Sequence, residues 1–175
     1  QKAADLFGLG ANSVRYLPAD SHQRLDPAAL SQQIEADRAA GLTPFFLAAS
    51  AGTVSTGAVD PIVDLAAVCQ ANAVWLHIDG AYGAPAAALP DASPDLKAIH
   101  LADSLAVDPH KWLYAPLEAG CALVKNPRHL LDTFDYSPAY YRFEGRLNYY
   151  QLGPQNSRGF RALKVWMALR AAGRQ

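Results

Sequence analysis

Two polar residues whose chemistry could be linked follow apolar, strand-like runs of the sequence. Asp79 ends the run 73–79, and Lys111 follows the run 104–107 behind an Asp-Pro pair that would stop a strand. Lys111 would then lie at the mouth of a strand, beside His110, where partial desolvation favours a neutral and nucleophilic amine. This is the setting that a Schiff-base lysine requires.

A strand-end aspartate followed by a strand-end lysine fits one kind of chemistry. A lysine forms an imine with a pyridine aldehyde, and an aspartate that pairs with the protonated ring nitrogen lets the ring accept electrons. Asp79 and Lys111 together therefore predict a site for pyridoxal 5'-phosphate (PLP).

Each of these residues also has a simpler interpretation. Most lysines are surface charges, a strand-end aspartate is often a turn residue or a helix cap, and Asp108 could merely precede a proline. His77, on the same strand face as Asp79, is interpreted as a core histidine with satisfied hydrogen bonds. Segment 52–57 lacks the lysine and the glycine order of phosphate-binding loops, and no spacing indicates a metal site.

The hydrophobic pattern predicts alternating strands and helices around these residues. Asp26 would cap a helix that Gly41 closes, and Asp60 would cap a second helix ending near residue 71. Continuous apolar runs indicate strands that are buried on both faces. The predicted strands are 13–17, 44–50, 73–79, 104–107 and 120–125; further helices are predicted at 1–9, 94–99, 127–134 and from 157 or 158 to 170, with a long loop at 135–156.

Strands that alternate with helices predict one α/β domain, incomplete, with a mostly parallel sheet. Ligands of such sheets bind at the carboxyl ends of the strands, where Ser50, Thr53, Asp79 and segment 108–111 would meet.

Composition narrows the classes of function. The chain has 175 residues, of which 51% are hydrophobic and 18% charged, and its net charge is −1. These values give no support for nucleic-acid binding, and no apolar run is long enough for a membrane span. Cys69 and Cys121 are expected to be buried and reduced, as in a cytoplasmic protein.

Two motifs resemble the paired signatures of the group II PLP-dependent amino-acid decarboxylases, the aromatic-L-amino-acid, tyrosine, tryptophan and glutamate enzymes. They are His77-Ile-Asp-Gly-Ala-Tyr82 and Asp108-Pro-His-Lys-Trp112. The similarity covers nearly the whole chain in family order, with supporting stretches Gly41-Leu-Thr-Pro-Phe-Phe46, Gly52-Thr-Val-Ser-Thr-Gly-Ala-Val-Asp60 and Arg158-Gly-Phe-Arg-Ala-Leu-Lys-Val-Trp166.

The resemblance implies the α/β fold of PLP-dependent transferases of fold type I. Their large domain has a seven-stranded, mainly parallel sheet flanked by helices. Residues 1–175 would form part of this large domain, without its N-terminal segment and without the C-terminal small domain. The resemblance also implies an obligate homodimer with the active site at the interface.

Roles follow from the resemblance position by position. Lys111 would bind PLP covalently, Asp79 would pair with its pyridinium nitrogen, and Ala81 would pack against one ring face. His110 would contact the phosphate and could handle protons near the imine. Thr53 would supply a hydroxyl group to the cofactor site.

Asp108 differs from the residue that many relatives have, and Tyr140 has a neighbouring tyrosine as its alternative. Asp108 falls where many relatives have an asparagine that binds the phosphate, and a carboxylate is unfavourable there unless it is protonated, accepts donors from its surroundings or points away. Tyr140 aligns with the mobile-loop tyrosine of the aromatic decarboxylases, which protonates the carbon that has lost carbon dioxide; Tyr141 is the alternative, and either could simply pack on the surface. Tyrosine rather than phenylalanine favours plain decarboxylation over aldehyde synthesis.

The resemblance therefore implies decarboxylation of an L-amino acid, of the aromatic class, to an amine and carbon dioxide. Two alternatives stay open: another fold-type-I enzyme, such as an aminotransferase or a carbon–carbon lyase, and a catalytically incomplete scaffold. The partners would be a small amino-acid substrate and a second copy of the chain, with no nucleic acid or membrane.

Overall fold

The computed structural model describes residues 1–136, 138, 140 and 148–173. Four strands in this part of the chain form one sheet in the order β1-β2-β3-β4. The first three strands are parallel, and β4 runs antiparallel to β3. The strands are β1 (Phe46–Ser50), β2 (Trp75–Asp79), β3 (Ser104–Val107) and β4 (Cys121–Val124).

The described residues also form six α-helices and four 3₁₀ turns. The helices are α1 (Lys2–Leu6), α2 (Pro27–Ala39), α3 (Ile62–Ala71), α4 (Pro94–Lys97), α5 (Arg128–Phe134) and α6 (Arg161–Ala172), and the 3₁₀ turns are Ala11–Ser13, Ala84–Ala88, Ala98–Leu101 and Tyr149–Leu152. The predicted α/β class and mostly parallel sheet are confirmed.

Helix α2 begins and ends where its sequence predicts. The Asp26 carboxylate accepts a hydrogen bond from the Ala28 N–H at 2.8 Å, and Pro27 occupies the first turn. Gly41 follows the helix with φ of 77°, a left-handed conformation that glycine adopts without strain. Leu30 and Ile34 face inward and are buried.

The core lies on one face of the sheet. Residues of α2, α3 and α4 pack there against alternate residues of β1 and β2, namely Leu47, Ala49, Leu76 and Ile78. The opposite face leaves Phe46, Ala48 and Asp79 exposed. The prediction of strands buried on both faces is therefore wrong for this chain, because the helices that contribute to the core all cover the same side.

Asp60 does not cap the second helix, contrary to the sequence prediction; Pro61 is the residue that precedes α3. The side chain of Asp60 is buried instead, and its two oxygens accept hydrogen bonds from two backbone N–H groups, of Ser50 at 2.6 Å and of Leu25 at 2.7 Å. The carboxylate thus joins the end of β1 to the segment that enters α2.

The predicted strand 13–17 is also wrong. Residues Ala11–Ser13 form a 3₁₀ turn, in which the Ser13 hydroxyl donates to the Gly10 carbonyl at 2.7 Å. Arg15 donates to the Asn12 carbonyl at 2.6 Å. These local hydrogen bonds hold the start of the segment in a turn, and the segment stays outside the sheet.

The remaining differences from the predictions are small. Helix α6 begins at Arg161 rather than at 157 or 158, because Gly159 has low helix propensity. The predicted loop 135–156 contains the 3₁₀ turn Tyr149–Leu152, which Asn148 and Gln151 cap reciprocally.

Cys69 is buried, as expected, and burial raises the pKa of its thiol to about 11. Cys121 is exposed, contrary to expectation, because β4 has only one neighbouring strand in the described part of the sheet. In that same part of the chain, no helix combines the length and the apolar character needed to cross a membrane.

Candidate active site at the strand ends

The polar residues predicted to meet at the strand ends are brought there by backbone hydrogen bonds. Asp79 pairs in register with Ser50 of β1 and Ala106 of β3. The Ala51 N–H donates to the Asp79 carbonyl at 2.9 Å. The Asp108 N–H donates to the Ala81 carbonyl at 3.2 Å, so the segment after β3 lies directly beside the segment after β2.

Asp79 presents its carboxylate on the exposed face of the sheet. Its Oδ1 accepts a hydrogen bond from the Ala81 N–H at 3.1 Å. Its Oδ2 has no hydrogen-bond partner among the described residues and remains available to a ligand. The carboxylate is therefore held in orientation while one acceptor stays open.

Lys111 lies in the turn that follows β3, where its N–H donates to the Asp108 carbonyl at 2.9 Å. Its ammonium group forms an ion pair with Asp108, with 2.9 Å between Nζ and Oδ2. The sequence prediction considered that Asp108 might accept donors from its surroundings, and this contact is such a donor. Trp112, the next residue, packs edge-on against Tyr82 with ring centres 5.3 Å apart.

His110 is anchored through one ring nitrogen. Its Nδ1 lies 2.7 Å from the Ala119 carbonyl oxygen, a distance that fits a ring N–H donating to the carbonyl. Its Nε2 lies 3.9 Å from Asp108 Oδ2, near enough for electrostatic attraction when the ring is protonated. The ring therefore has a fixed orientation and one nitrogen without a strong partner.

His77 lies half-buried on the sheet face opposite the core, so its interpretation as a core histidine is wrong, although one ring nitrogen has a hydrogen-bond partner. Its Nδ1 lies 2.8 Å from the Ser104 hydroxyl, which also accepts a hydrogen bond from the indole of Trp75 at 2.8 Å. Phe46 stacks on the ring at 5.7 Å. Burial lowers the pKa of His77, against a smaller opposite effect of Asp79. The ring is therefore neutral at neutral pH.

Sequence reasoning did not identify Ser104 as the residue that joins β3 to His77. A signal was available, because Ser104 is the polar first residue of an otherwise apolar run. The pairing of β3 with β2 places Ser104 directly opposite His77.

Thr53, Tyr140 and Tyr141 were also predicted as site residues. The Thr53 hydroxyl is hydrogen-bonded within its own turn, to the Thr56 hydroxyl at 2.8 Å and to the Ala58 N–H at 3.2 Å. Tyr140 is three-quarters exposed. Tyr141 lies outside the described residues.

The donor set at the strand ends suits PLP. Lys111 supplies an amine for an aldehyde, and Asp79 supplies an open carboxylate oxygen for a protonated ring nitrogen. Ala81 contacts both segments through its backbone, with its N–H donating to Asp79 and its carbonyl accepting from the Asp108 N–H, and its side chain is only a methyl group. Within the described ranges, no group of three or more His, Cys, Asp or Glu residues could hold a metal ion.

The sequence is similar to several named amino-acid decarboxylases. The sequence is 42% identical over 177 residues to an aromatic-L-amino-acid decarboxylase of Bacillus atrophaeus, covering 98% of the chain and 37% of that protein. It is 36% identical over 179 residues to a tryptophan decarboxylase of Camptotheca acuminata, covering 98% of the chain and 36% of that protein. The chain thus spans little more than a third of the length of these relatives.

Solved structures show the same fold. The crystal structure of Oryza sativa TDC with PLP and tryptamine superposes with a TM-score of 0.90 at 33% identity, covering 98% of this chain and 36% of that one. Mouse CSAD gives a TM-score of 0.89 at 33% identity with the same coverage. The family described as the pyridoxal-dependent decarboxylase conserved domain matches residues 1–175. The chain belongs to the pyridoxal-dependent decarboxylase family.

Proposed function

We propose that the protein removes the α-carboxylate of an aromatic L-amino acid as carbon dioxide and releases the amine, with PLP as its cofactor. One observation carries the proposal: the sheet register and the Asp108–Ala81 hydrogen bond bring Lys111 and Asp79 to the same strand ends. Relatives named aromatic-L-amino-acid, tryptophan and tyrosine decarboxylases support the aromatic class of substrate.

The residues have distinct proposed roles. PLP, when bound, supplies a ring that accepts the electrons left by the departing carbon dioxide. Lys111 holds the cofactor through its amine, and Asp79 keeps the ring nitrogen charged through the open Oδ2. Ala81 packs against the ring face, and His110 contributes the ring nitrogen that Ala119 leaves open.

Three further roles are proposed from the resemblance. Tyr140 delivers a proton to the substrate carbon after carbon dioxide has left. Thr53 contributes to the cofactor site through its turn, whose internal hydrogen bonds fix the hydroxyl group. Asp108 lies in the cofactor site with its carboxylate directed to Lys111, so we do not assign it a direct phosphate contact.

The activity is tested with the full-length protein and PLP. We expect release of carbon dioxide and the matching amine from one or more of phenylalanine, tyrosine, DOPA and tryptophan, and not from glutamate. Formation of a keto acid in place of carbon dioxide would instead indicate an aminotransferase. No reaction with any of these amino acids, in a protein that binds PLP, would contradict the proposal.

The cofactor attachment is tested by borohydride reduction followed by peptide mass spectrometry. We expect PLP to be trapped on Lys111 and to be absent from Lys111→Ala, together with loss of the imine absorbance. Lys125→Ala is the matched control, because Lys125 is an exposed lysine beyond the end of β4. Trapping of PLP on another lysine would overturn the assignment.

We also propose a homodimeric, cytoplasmic enzyme whose active site lies at the subunit interface. The dimer is supported by large apolar side chains that α6 leaves exposed, including Trp166 and Met167. The cytoplasmic location is supported by Cys69 and Cys121, which are both free thiols. Sedimentation of the full-length protein should give twice the chain mass, and cell fractionation should place it in the cytoplasm. A monomer with full activity would contradict the dimer.

A further inference from the structure

The imidazole of His77 shares the Ser104 hydroxyl group with the indole of Trp75. Trp75 Nε1 donates to Ser104 Oγ at 2.8 Å, and His77 Nδ1 lies 2.8 Å from the same oxygen. Trp75 and His77 are two residues apart on β2, so both side chains lie on the sheet face opposite the core, and the parallel register places Ser104 beside His77. The three side chains therefore form one hydrogen-bonded set across β2 and β3.

The hydroxyl group indicates which nitrogen of His77 carries the proton. An indole N–H can only donate, so Ser104 Oγ is the acceptor toward Trp75. The hydroxyl has one proton of its own to donate, and among the described residues His77 Nδ1 is the one acceptor within hydrogen-bond distance of it. With Nδ1 as the acceptor, the proton of the neutral ring is on Nε2.

Asp79 is the charged group that acts on this ring within the described part of the chain. It follows His77 by two residues on the same face, and it opposes in part the effect of burial, which lowers the pKa of His77. Asp103, which precedes β3, acts electrostatically on the buried Cys69 in the core. Lys125, after β4, donates its N–H to the Asp103 carbonyl at 2.9 Å. Asp103 and Lys125 therefore belong to the other side of the sheet.

The remaining neighbours of the ring are aromatic. From β1, Phe46 stacks on the His77 ring with centroids 5.7 Å apart. From α5, His129 lies edge-on against Trp75, with ring centroids 5.3 Å apart, and so contacts the indole and not the His77 ring. A proton on both nitrogens of His77 would consequently place a cation next to Asp79, with no other charged group between them among the described residues.

We propose that Ser104 is a positioning residue that holds His77 as the neutral imidazole with its proton on Nε2, and thereby keeps the Asp79 carboxylate for the ring nitrogen of the cofactor. This inference rests on the proposed function of Asp79. An imidazolium two residues away would compete with the cofactor as the counter-ion of that carboxylate. A hydrogen bond donated to Nδ1 stabilises the neutral ring and so opposes the competing charge.

The protonation of His77 is measured by NMR on the full-length protein with PLP bound and with nitrogen-15 in its histidines. Long-range proton–nitrogen spectra distinguish the two nitrogens of each ring, and His77→Asn identifies the signals of His77. We expect the proton on Nε2 at about pH 8, and a pKa below the ordinary histidine value of about 6.5. Ser104→Ala should raise that pKa by about 0.5–1 pH unit, because a hydrogen bond to the neutral ring is lost.

The consequence for Asp79 is measured through the pH dependence of the activity. In Ser104→Ala, His77 takes up its proton nearer to neutral pH. The ratio of amine formation at about pH 6 to that at about pH 8 should therefore fall about two- to five-fold relative to the unaltered protein, the range for a partly exposed charge pair. Ser104→Thr keeps the hydroxyl group and should restore both the pKa and the ratio. Ser93→Ala is the matched control, because it removes a hydroxyl that accepts the Leu96 N–H at 3.2 Å at the start of α4, and it should change neither.

The outcomes separate this inference from the proposed function. A proton on Nδ1 of neutral His77 in the unaltered protein would overturn the inference, and this measurement stays decisive if Ser104→Ala does not fold. An unchanged pKa of His77 in Ser104→Ala, or a raised pKa with no change in the activity ratio, would overturn it as well. PLP trapped on a lysine other than Lys111, or no release of carbon dioxide, would instead contradict the proposed function, whatever the state of His77.

Discussion

Gly83 lies directly against Gly52, so that the loops after β2 and β1 touch through their backbones. A Cβ atom on Gly83 would be 2.6 Å from the Cα of Gly52 and 2.4 Å from the Ala51 carbonyl oxygen. A Cβ on Gly52 would lie 2.7 Å from the Cα of Gly83. Gly52 has in addition a φ of 82°, in the left-handed region that favours glycine. Neither backbone can yield without shifting a strand end.

Gly83→Ala should therefore destabilise the protein and disturb the strand ends. We expect a loss of about 1–3 kcal/mol, the usual cost of overpacking against atoms that cannot move aside. Thermal or urea unfolding of the full-length protein measures it. Gly159→Ala is the control, because a Cβ there would approach nothing closer than 3.9 Å. Equal stability of the two variants would show that the loops can separate freely.

Asp60→Asn should be destabilising although it preserves the shape of the side chain. The two Asp60 oxygens accept N–H groups of Ser50 at 2.6 Å and Leu25 at 2.7 Å, and an amide can accept only one of them. The other N–H would face an NH₂ group, so we expect a loss of about 2–3 kcal/mol in unfolding experiments. Asp91→Asn, at an exposed position, should change stability by less than about 0.5 kcal/mol. A similar small effect at Asp60 would contradict the prediction.

Stability should fall as the solution is acidified through the range where free histidine titrates. Burial lowers the pKa of His77 below its ordinary 6.5, so below that pH the unfolded chain takes up a proton that the folded chain does not. The contribution of His77 to the free energy of unfolding is therefore fully present above pH 6.5. It declines as the pH falls from 6.5 toward the lower pKa of His77 in the folded state. His77→Asn should flatten this part of the melting temperature against pH curve. The exposed His22→Asn serves as control, and an identical slope in both variants would rule out His77 as the cause.

Tyr140→Phe should reduce amine production because it removes the proposed proton donor. General acid groups contribute about 10²–10⁴-fold, so we expect a decrease of at least about 10²-fold in kcat for the amine. In aerated buffer we also expect some aldehyde and ammonia, with dioxygen as the oxidant and hydrogen peroxide as its reduced product. PLP binding, followed by absorbance, should stay unchanged. Tyr141→Phe is the matched comparison: if that variant alone loses amine formation, the donor is Tyr141.

Much of the fold follows from short-range features of the sequence. Asp26 and Gly41 delimit α2 because an N-terminal cap and a left-handed glycine act on adjacent backbone groups. The run 44–50 indicates β1, since apolar residues of strand length favour a strand wherever they pack. Whether one face or both are buried depends on other segments, which is why the exposure of Phe46 and Ala48 was not predicted.

The site shows the same division. Asp79 could be identified because it ends an apolar run, and Lys111 because it follows one behind an Asp-Pro pair; strand ends meet at one edge of a parallel sheet. The hydrogen-bond partners of the Asp60 carboxylate could not be predicted, because Ser50 and Leu25 lie in two other parts of the chain. The ion pair between Asp108 and Lys111 could not be predicted from the sequence either, because it depends on side-chain rotamers.

The hydrogen bond between the Asp108 N–H and the Ala81 carbonyl has a consequence for how this scaffold can change. It joins main-chain atoms, as do the bonds from Gly80 to Ala106 and from Ala51 to Asp79. Any residue except proline can donate such a bond, so the frame is set by the main chain, although Gly80 has no room for a side chain because a Cβ there would lie 2.5 Å from the Ala84 Cβ. The relative position of the strand ends therefore survives a side-chain substitution wherever the new side chain has room.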